Sequence, residues 1–200
     1  MTDLRTRLHP VASAIETQAA QWGMGLLARL LLLATIVPYY LASAKTKVGE
    51  GVGGFFDVQA GAYGQIIPPI AEAHYYDASM IPIVPWKLIV IAGTYAEFIL
   101  PILIVVGLLT RPAAIGLIGF IIVQSYVDHA FHGVTGDTFG AFFDRDPTSL
   151  VLDQRAFWSF PLLFLALFGP GAVSLDRALS KWRAPSATGH TSALSAAAAE

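Results

Sequence analysis

The chain has 200 residues, 55% of them hydrophobic and 13% charged, with 12 basic against 14 acidic side chains and a formal net charge of −2. Soluble domains carry about 25% charged residues; here the deficit sits in a few long apolar runs, which points to a polytopic membrane protein and leaves no basic patch for nucleic acid. Cys is absent, which excludes disulfides, thiolate metal sites, thiol redox relays and cysteine nucleophiles.

Arg5 and Arg7 stand near the start of the chain, and Val11, Ile15 and Trp22 fall on one face at helical spacing. Residues 1–22 are therefore expected to form a cytoplasmic or interfacial segment, with a short helix on the inner surface and Trp22 at headgroup level. The first apolar run, 23–44, ends in Ala42-Ser43-Ala44, a small-residue triplet of the kind seen at signal cleavage sites. The run is longer than the roughly 7–15 residues of a signal core, so it reads as an uncleaved first span.

A long semi-apolar loop follows, 45–85. Its Gly-rich start, Gly49 to Phe56, lacks the closing Gly-Lys-Ser/Thr of a phosphate loop. Its paired aromatics, Phe55-Phe56 and Tyr75-Tyr76, fit a segment lying on the membrane or capping the bundle. The second span covers 86–109 and the third 112–127, joined by a turn of Thr110, Arg111 and Pro112 that forces an antiparallel hairpin; Pro112 suits the first turn of a new helix. An acidic loop, 128–154, holds a turn at Asp144-Arg145-Asp146-Pro147. The fourth span covers 156–173. Each run is near the ~20 residues that cross ~30 Å of hydrocarbon. The Ala/Ser-rich tail 184–200 has no apolar periodicity and is expected to be disordered. The fold class is an all-α membrane protein, a four-helix antiparallel bundle with a long outer loop after the first helix.

Four groups of polar residues stand out at membrane depth. Glu97 lies near the middle of the second span, where a carboxylate is costly unless paired, protonated or facing a cavity. Arg29 lies near the inner end of the first span and either snorkels to the headgroups or closes on Glu97 across a depth difference of roughly 8–10 Å. Tyr39, Tyr40, Thr94 and Tyr95 are placed to hydrogen-bond nearby, so Glu97, Arg29, Tyr95 and Thr94 form a candidate intramembrane pocket. Pro101 removes the helix bond to the Glu97 carbonyl, as Pro38 and Pro161 do in the first and fourth spans, which fits kinked helices around a polar pocket. At the outer end of the third span, Gln124, Asp128 and His132 recur every four residues and form a candidate polar face if the helix continues past Val127. Asp128 and His132 have the types for a metal site or proton relay, but the pair alone makes no ligand set and no metal is assigned. Haem is disfavoured, because no second His lies inside a span; His74 is the one outer candidate. Ala92, Ala96, Gly116 and Gly119 are small residues that permit close helix contact.

Three places in the sequence resemble the DoxX family of small four-helix bacterial membrane proteins. They are Arg29 opening the first span with Lys45 or Lys47 just past its end, Glu97 followed by Gly107-Leu108-Leu109-Thr110-Arg111, and Gly169-Pro170-Gly171-Ala172-Val173-Ser174-Leu175-Asp176. The resemblance spans 24–179, within a membrane domain of 23–179. Pro101 departs from it, standing where the family usually has glycine, and the first loop is longer than in compact members. The resemblance implies a multi-pass protein of the bacterial inner (plasma) membrane, a subunit associated with a quinone-linked or oxidative-stress redox system and held there by a protein partner. Quinone near Glu97 is the one cofactor it suggests. With no nucleotide motif, no Cys and no metal cage in the sequence, autonomous catalysis is not expected, and the alternative is a non-enzymatic accessory: an anchor or a small-solute or metal-handling component.

Lys and Arg divide almost evenly between the two sides, but the Arg111 turn and the basic stretch Arg177, Lys181 and Arg183 favour cytoplasmic N- and C-termini. Reporter fusions at Arg111 are expected to give a cytoplasmic signal; an external signal there reverses the topology.

Overall fold

The computed structural model describes residues 23–183. The interfacial helix expected of Val11, Ile15 and Trp22 and the tail 184–200 lie outside the described residues. Among the described residues the protein is all α-helical, with a single isolated bridge between Val48 and Val58. Four helical segments are long and apolar enough to cross a membrane: Met24–Lys45, Ile83–Val106, Thr110–Phe131 and Leu150–Phe168. They make it a four-helix membrane protein.

Helix α1 (Met24–Lys45) is followed by three short helices, α2 (Gly51–Gly54), α3 (Ala60–Ile66) and α4 (Pro68–Ala73). The second span enters through Ile83–Lys87 and continues as α5 (Leu88–Val106). Then come α6 (Thr110–Phe131), a short α7 (Gly136–Phe139), α8 (Ala156–Phe168) and α9 (Leu175–Arg183). Neighbours pack in a ring, α1 on α5, α5 on α6, α6 on α8 and α8 on α1, so every packed pair is antiparallel. The end holding Gly23, the α5–α6 turn and α9 is called proximal below; the other is distal.

Each span buries one narrow stripe and leaves the rest of its apolar surface outward, the pattern of a helix solvated by lipid. On α1 the stripe is Gly25, Arg29, Leu32, Ile36, Tyr40 and Ala44; on α5 it is Val90, Thr94, Glu97, Pro101 and Ile104. Glu97 and Pro101 therefore face the bundle. The main core joins Leu32, Ile36 and Tyr40 to Ile104, Leu117, Ile121, Trp158, Leu162 and Leu165. Tyr40 and Trp158 form an aromatic cluster with Tyr39 and Phe120 at its distal end.

The span boundaries differ from the sequence reading in four places. The α5–α6 turn is Gly107 to Leu109, not Thr110 to Pro112. Gly107 adopts φ +71°, and the bonds Gly107 N–H to Ile104 and Leu108 N–H to Leu103 form a Schellman close, which a residue without Cβ reaches freely. The third span continues to Phe131, and His132 caps it. The fourth starts early, at Leu150, because Ser149 and Asp153 cap each other reciprocally: the Ser149 hydroxyl accepts from Asp153 N–H at 3.1 Å and the Asp153 carboxylate from Ser149 N–H at 2.9 Å. That arrangement resembles a capping box. The helix stops at Phe168 because Gly169 and Gly171 turn into the left-handed region.

The loop after α1 is folded. Ala62, Tyr63, Ile67, Ala71 and Ile81 bury against Val90 of α5 in a second core. Of the two aromatic pairs, Phe55 caps the bundle by packing on Tyr95 and Phe98, whereas Tyr75 and Tyr76 are exposed.

At Gly107 an added Cβ stands 2.6 Å from Ser174 Cβ and 3.0 Å from Arg29 Cζ. Gly107→Ala combines that crowding with left-handed strain and is expected to destabilise the bundle by roughly 1–3 kcal/mol, read as a lowered unfolding midpoint in detergent. Gly119→Ala, whose Cβ meets nothing within 4 Å, is the control expected to leave the midpoint unchanged.

Candidate functional site

The sequence places Arg29 and Glu97 in one pocket, and the structure separates them. Arg29 is the centre of a proximal knot. Its Nε donates to the carbonyls of Ile104 at 3.0 Å and Val105 at 3.2 Å. One terminal nitrogen also bonds the Val105 carbonyl, and the other bonds those of Val173 and, at 3.3 Å, Pro170. A cation at the carboxyl end of α5 satisfies carbonyls that the helix leaves orphaned and meets the negative end of its dipole. The motif Gly169 to Asp176 closes the same knot. The Asp176 carboxylate accepts from the N–H groups of Leu109 at 2.8 Å and Thr110 at 2.9 Å and from the Thr110 hydroxyl at 2.9 Å, while its own N–H donates to the Gly107 carbonyl at 2.8 Å. Burial pushes the Asp176 carboxyl up, but these hydrogen bonds and the nearby Arg29 charge outweigh it and hold the group below the ordinary carboxylate range. Gly25 completes the knot by close approach: a Cβ there stands 2.6 Å from Gly171 N.

Glu97 has a different partner. Lys47, two residues past the end of α1, sends its ammonium to the Glu97 carboxylate at 2.9 Å, with both side chains almost fully buried. The same ammonium donates to the Ser43 hydroxyl at 2.7 Å and to the Ser43 carbonyl at 3.3 Å, so its three protons are all engaged. The Gly-rich run aims this lysine. Gly49 N–H bonds the carbonyls of Gly54 at 2.9 Å and Asp57 at 3.0 Å, and Gln59 N–H bonds the Lys47 carbonyl at 2.9 Å. A Cβ on Gly54 stands 2.3 Å from the carbonyl carbon of Gly49, so the glycines serve a tight loop closure.

Of the other proposed pocket members, Thr94 is fully buried and its hydroxyl has no partner among the described residues. Tyr95 turns away and donates to the Phe55 carbonyl at 2.8 Å. The proposed distal face, by contrast, joins Glu97. Gln124, Asp128 and His132 border the same cavity of about 620 Å³ as Glu97 and Lys47, between α5 and α6. Gln124 accepts from Tyr40 at 3.0 Å and donates to Tyr39 at 2.9 Å. Asp128 pairs with Arg155, whose other terminal nitrogen donates to the Ser125 hydroxyl at 3.0 Å. His132 donates from Nε2 to the Gln65 carbonyl at 3.1 Å. Asp128 and His132 thus have separate partners, and among the described residues no group of three or more His, Asp or Glu side chains has metal-binding geometry.

Two residues of this cavity escaped the sequence reading as site members. The sequence marks Lys47 as a lysine just past the first span, and Arg155 falls between the acidic loop 128–154 and the fourth span 156–173. The signal for Arg155 was the Ser149–Asp153 cap, which makes 150–155 part of the span. The small residues also change role. Ala92, Ala96, Gly116 and Gly119 border the cavity, where their small size leaves space between α5 and α6.

The site is thus a half-open, charge-balanced chamber in a four-helix membrane protein. Over 76 residues the chain is 36% identical to the inner membrane protein YphA of Escherichia coli (strain K12), a match that takes in 38% of this chain and 50% of that protein, so the chain spans about half the length of this curated relative. No protein-family profile and no solved structure matches the chain.

Removing one partner of a buried pair costs about 3–5 kcal/mol, whereas replacing both by apolar groups is often neutral. Lys47→Met is accordingly expected to lower the unfolding midpoint sharply, and the double variant Lys47→Met with Glu97→Leu to recover most of the loss. A double variant no more stable than Lys47→Met counts against the pair as the reason for the loss.

Proposed function

We propose that the protein is a DoxX-like subunit of the bacterial inner membrane, with both termini cytoplasmic, that works with a protein partner in a quinone-linked or oxidative-stress redox system. The residues that carry the family resemblance converge in space, which supports the reading. Arg29, Gly107 and the Gly169–Asp176 motif meet at one end of the bundle, and Lys47 meets Glu97 at 2.9 Å. The name of the relative, an inner membrane protein, supports the compartment.

One observation carries the functional part: a chamber of about 620 Å³ at membrane depth, bordered by apolar helix faces and by Glu97, Lys47, Tyr39, Asp128 and Arg155. Ligand sites have this composition, an apolar wall with a few convergent polar groups, and a quinone needs the same, an apolar slot with donors for its carbonyl oxygens. The ion pairing of both cavity carboxylates favours a second reading, a non-enzymatic accessory whose charges lock the bundle.

Purification in mild detergent with solvent extraction separates the two. The redox reading expects co-purifying quinone, with Glu97→Gln inserting normally and retaining about tenfold less of it, a change worth about 1.4 kcal/mol. A quinone-free preparation that brings down a soluble partner supports the accessory. Unchanged quinone content in Glu97→Gln removes Glu97 from the site.

A further inference from the structure

The mouth of the chamber faces lipid. It opens between Ile89 and Ala92 on α5 and Gly119 and Val123 on α6, all on the exposed side of their helices. Val123 is 62% exposed, and a Cβ on Gly119 meets nothing within 4 Å. The folded loop crosses the distal end, where Gln65 and His132 are themselves exposed. The His132 ring bonds the Gln65 carbonyl at 3.1 Å, and Ile66 lies 3.2 Å from where a Gly93 Cβ would stand. A solute from the aqueous side meets folded loop, whereas a molecule in the bilayer meets an apolar gap between two helices.

Inside, one donor stands unused. Arg155 borders the chamber, but both its terminal nitrogens are bonded, and its Nε–H, without a partner among the described residues, is shielded from the open space. The Tyr39 hydroxyl accepts from Gln124, and its own proton has no acceptor among the described residues. The charges balance, Lys47 against Glu97 and Arg155 against Asp128, so the chamber offers hydrogen bonds without a net field for an anion.

We infer that the chamber is loaded sideways from the bilayer, through the gap between α5 and α6, by an uncharged lipid-soluble molecule whose head presents a carbonyl-type oxygen to the Tyr39 hydroxyl and whose tail leaves past Gly119. The inference rests on the reading of the chamber as a ligand site, and it adds the route and the anchoring donor.

Native mass spectrometry of the detergent-purified protein, titrated with three probes, tests it. The probes are a decyl-substituted benzoquinone, the same quinone ring without its tail, and a long-chain methyl ketone. The decyl quinone is expected to bind at least tenfold more tightly than the tail-less ring. Gly119→Leu and Val123→Phe, which plug the mouth, are each expected to weaken it about tenfold, while Ile115→Phe, on lipid-facing α6 away from the mouth, leaves it unchanged. Tyr39→Phe reads the anchor: it is expected to weaken decyl quinone binding about tenfold, and unchanged binding removes Tyr39 from the anchor. Plugged variants that keep the wild-type unfolding midpoint and bind decyl quinone normally overturn the lateral route and leave the quinone reading standing. A wild type that refuses both quinones but takes the ketone in a mouth-dependent way overturns the quinone and keeps the route. A wild type that takes no probe overturns both; equal binding of the tailed and tail-less rings overturns the route alone.

Discussion

Two chain segments, the end of α5 and the stretch after α8, meet the start of α1 at the proximal end of the bundle, and each brings main-chain carbonyls that hydrocarbon does not solvate. An unsatisfied carbonyl in that medium costs several kcal/mol. The Arg29 guanidinium, with five donors in one plane, reaches the end of α5 and the segment after α8 at once. It acts as a main-chain clamp, and the charge it carries is met by the α5 dipole and by Asp176. With those carbonyls held, the α5–α6 turn is free to be as short as Gly107 to Leu109, and Asp176 pins its N–H groups from the other side. The hairpin is therefore fixed at one end, and its spacing at the other end is set by whatever lies between the helices.

At the distal end the electrostatic solution is different. Lys47 and Arg155 each meet a carboxylate. Neither cation belongs to the helix it neutralises: Lys47 comes from a loop to α5, and Arg155 comes from the start of the fourth span to α6. A buried ion pair is weak evidence for stability, since desolvation consumes most of the attraction. What these two pairs add is connection, because each fails if its two elements shift apart. The folded loop 45–82 is thus part of the bundle's wiring, and the glycines at 49 and 54 matter because they set where Lys47 points.

The four spans were legible because hydrocarbon demands long apolar runs, and that demand is written residue by residue. So was the anomaly of Glu97, since a carboxylate on a buried stripe requires an explanation. Its partner was not legible. Counting depth along two helices pairs Glu97 with the nearest in-span cation, Arg29, and cannot see that a lysine outside the span folds back to it while Arg29 is consumed by carbonyls. Arg155 was hidden for a related reason. An acidic, Pro-containing stretch reads as loop, and only the reciprocal Ser149–Asp153 cap turns its last six residues into helix. Gln124, Asp128 and His132 were legible as one face because period four survives any tertiary arrangement, whereas their joining to Glu97 depends on helix separation, which no single helix encodes.

The small residues show where that separation begins. Gly and Ala on facing helices permit close contact, and at Gly116 they do: a Cβ there stands 3.3 Å from Leu100. One turn further from the clamped end, at Gly119, a Cβ meets nothing. Both glycines border the chamber, so a packed part of its wall and an open part lie three residues apart on α6. On the facing helix the same step runs from Leu100 to Glu97, from a side chain that fills the gap to one drawn away by Lys47. The ion pair holds a carboxylate on the buried stripe, and by doing so it leaves the space beside it open.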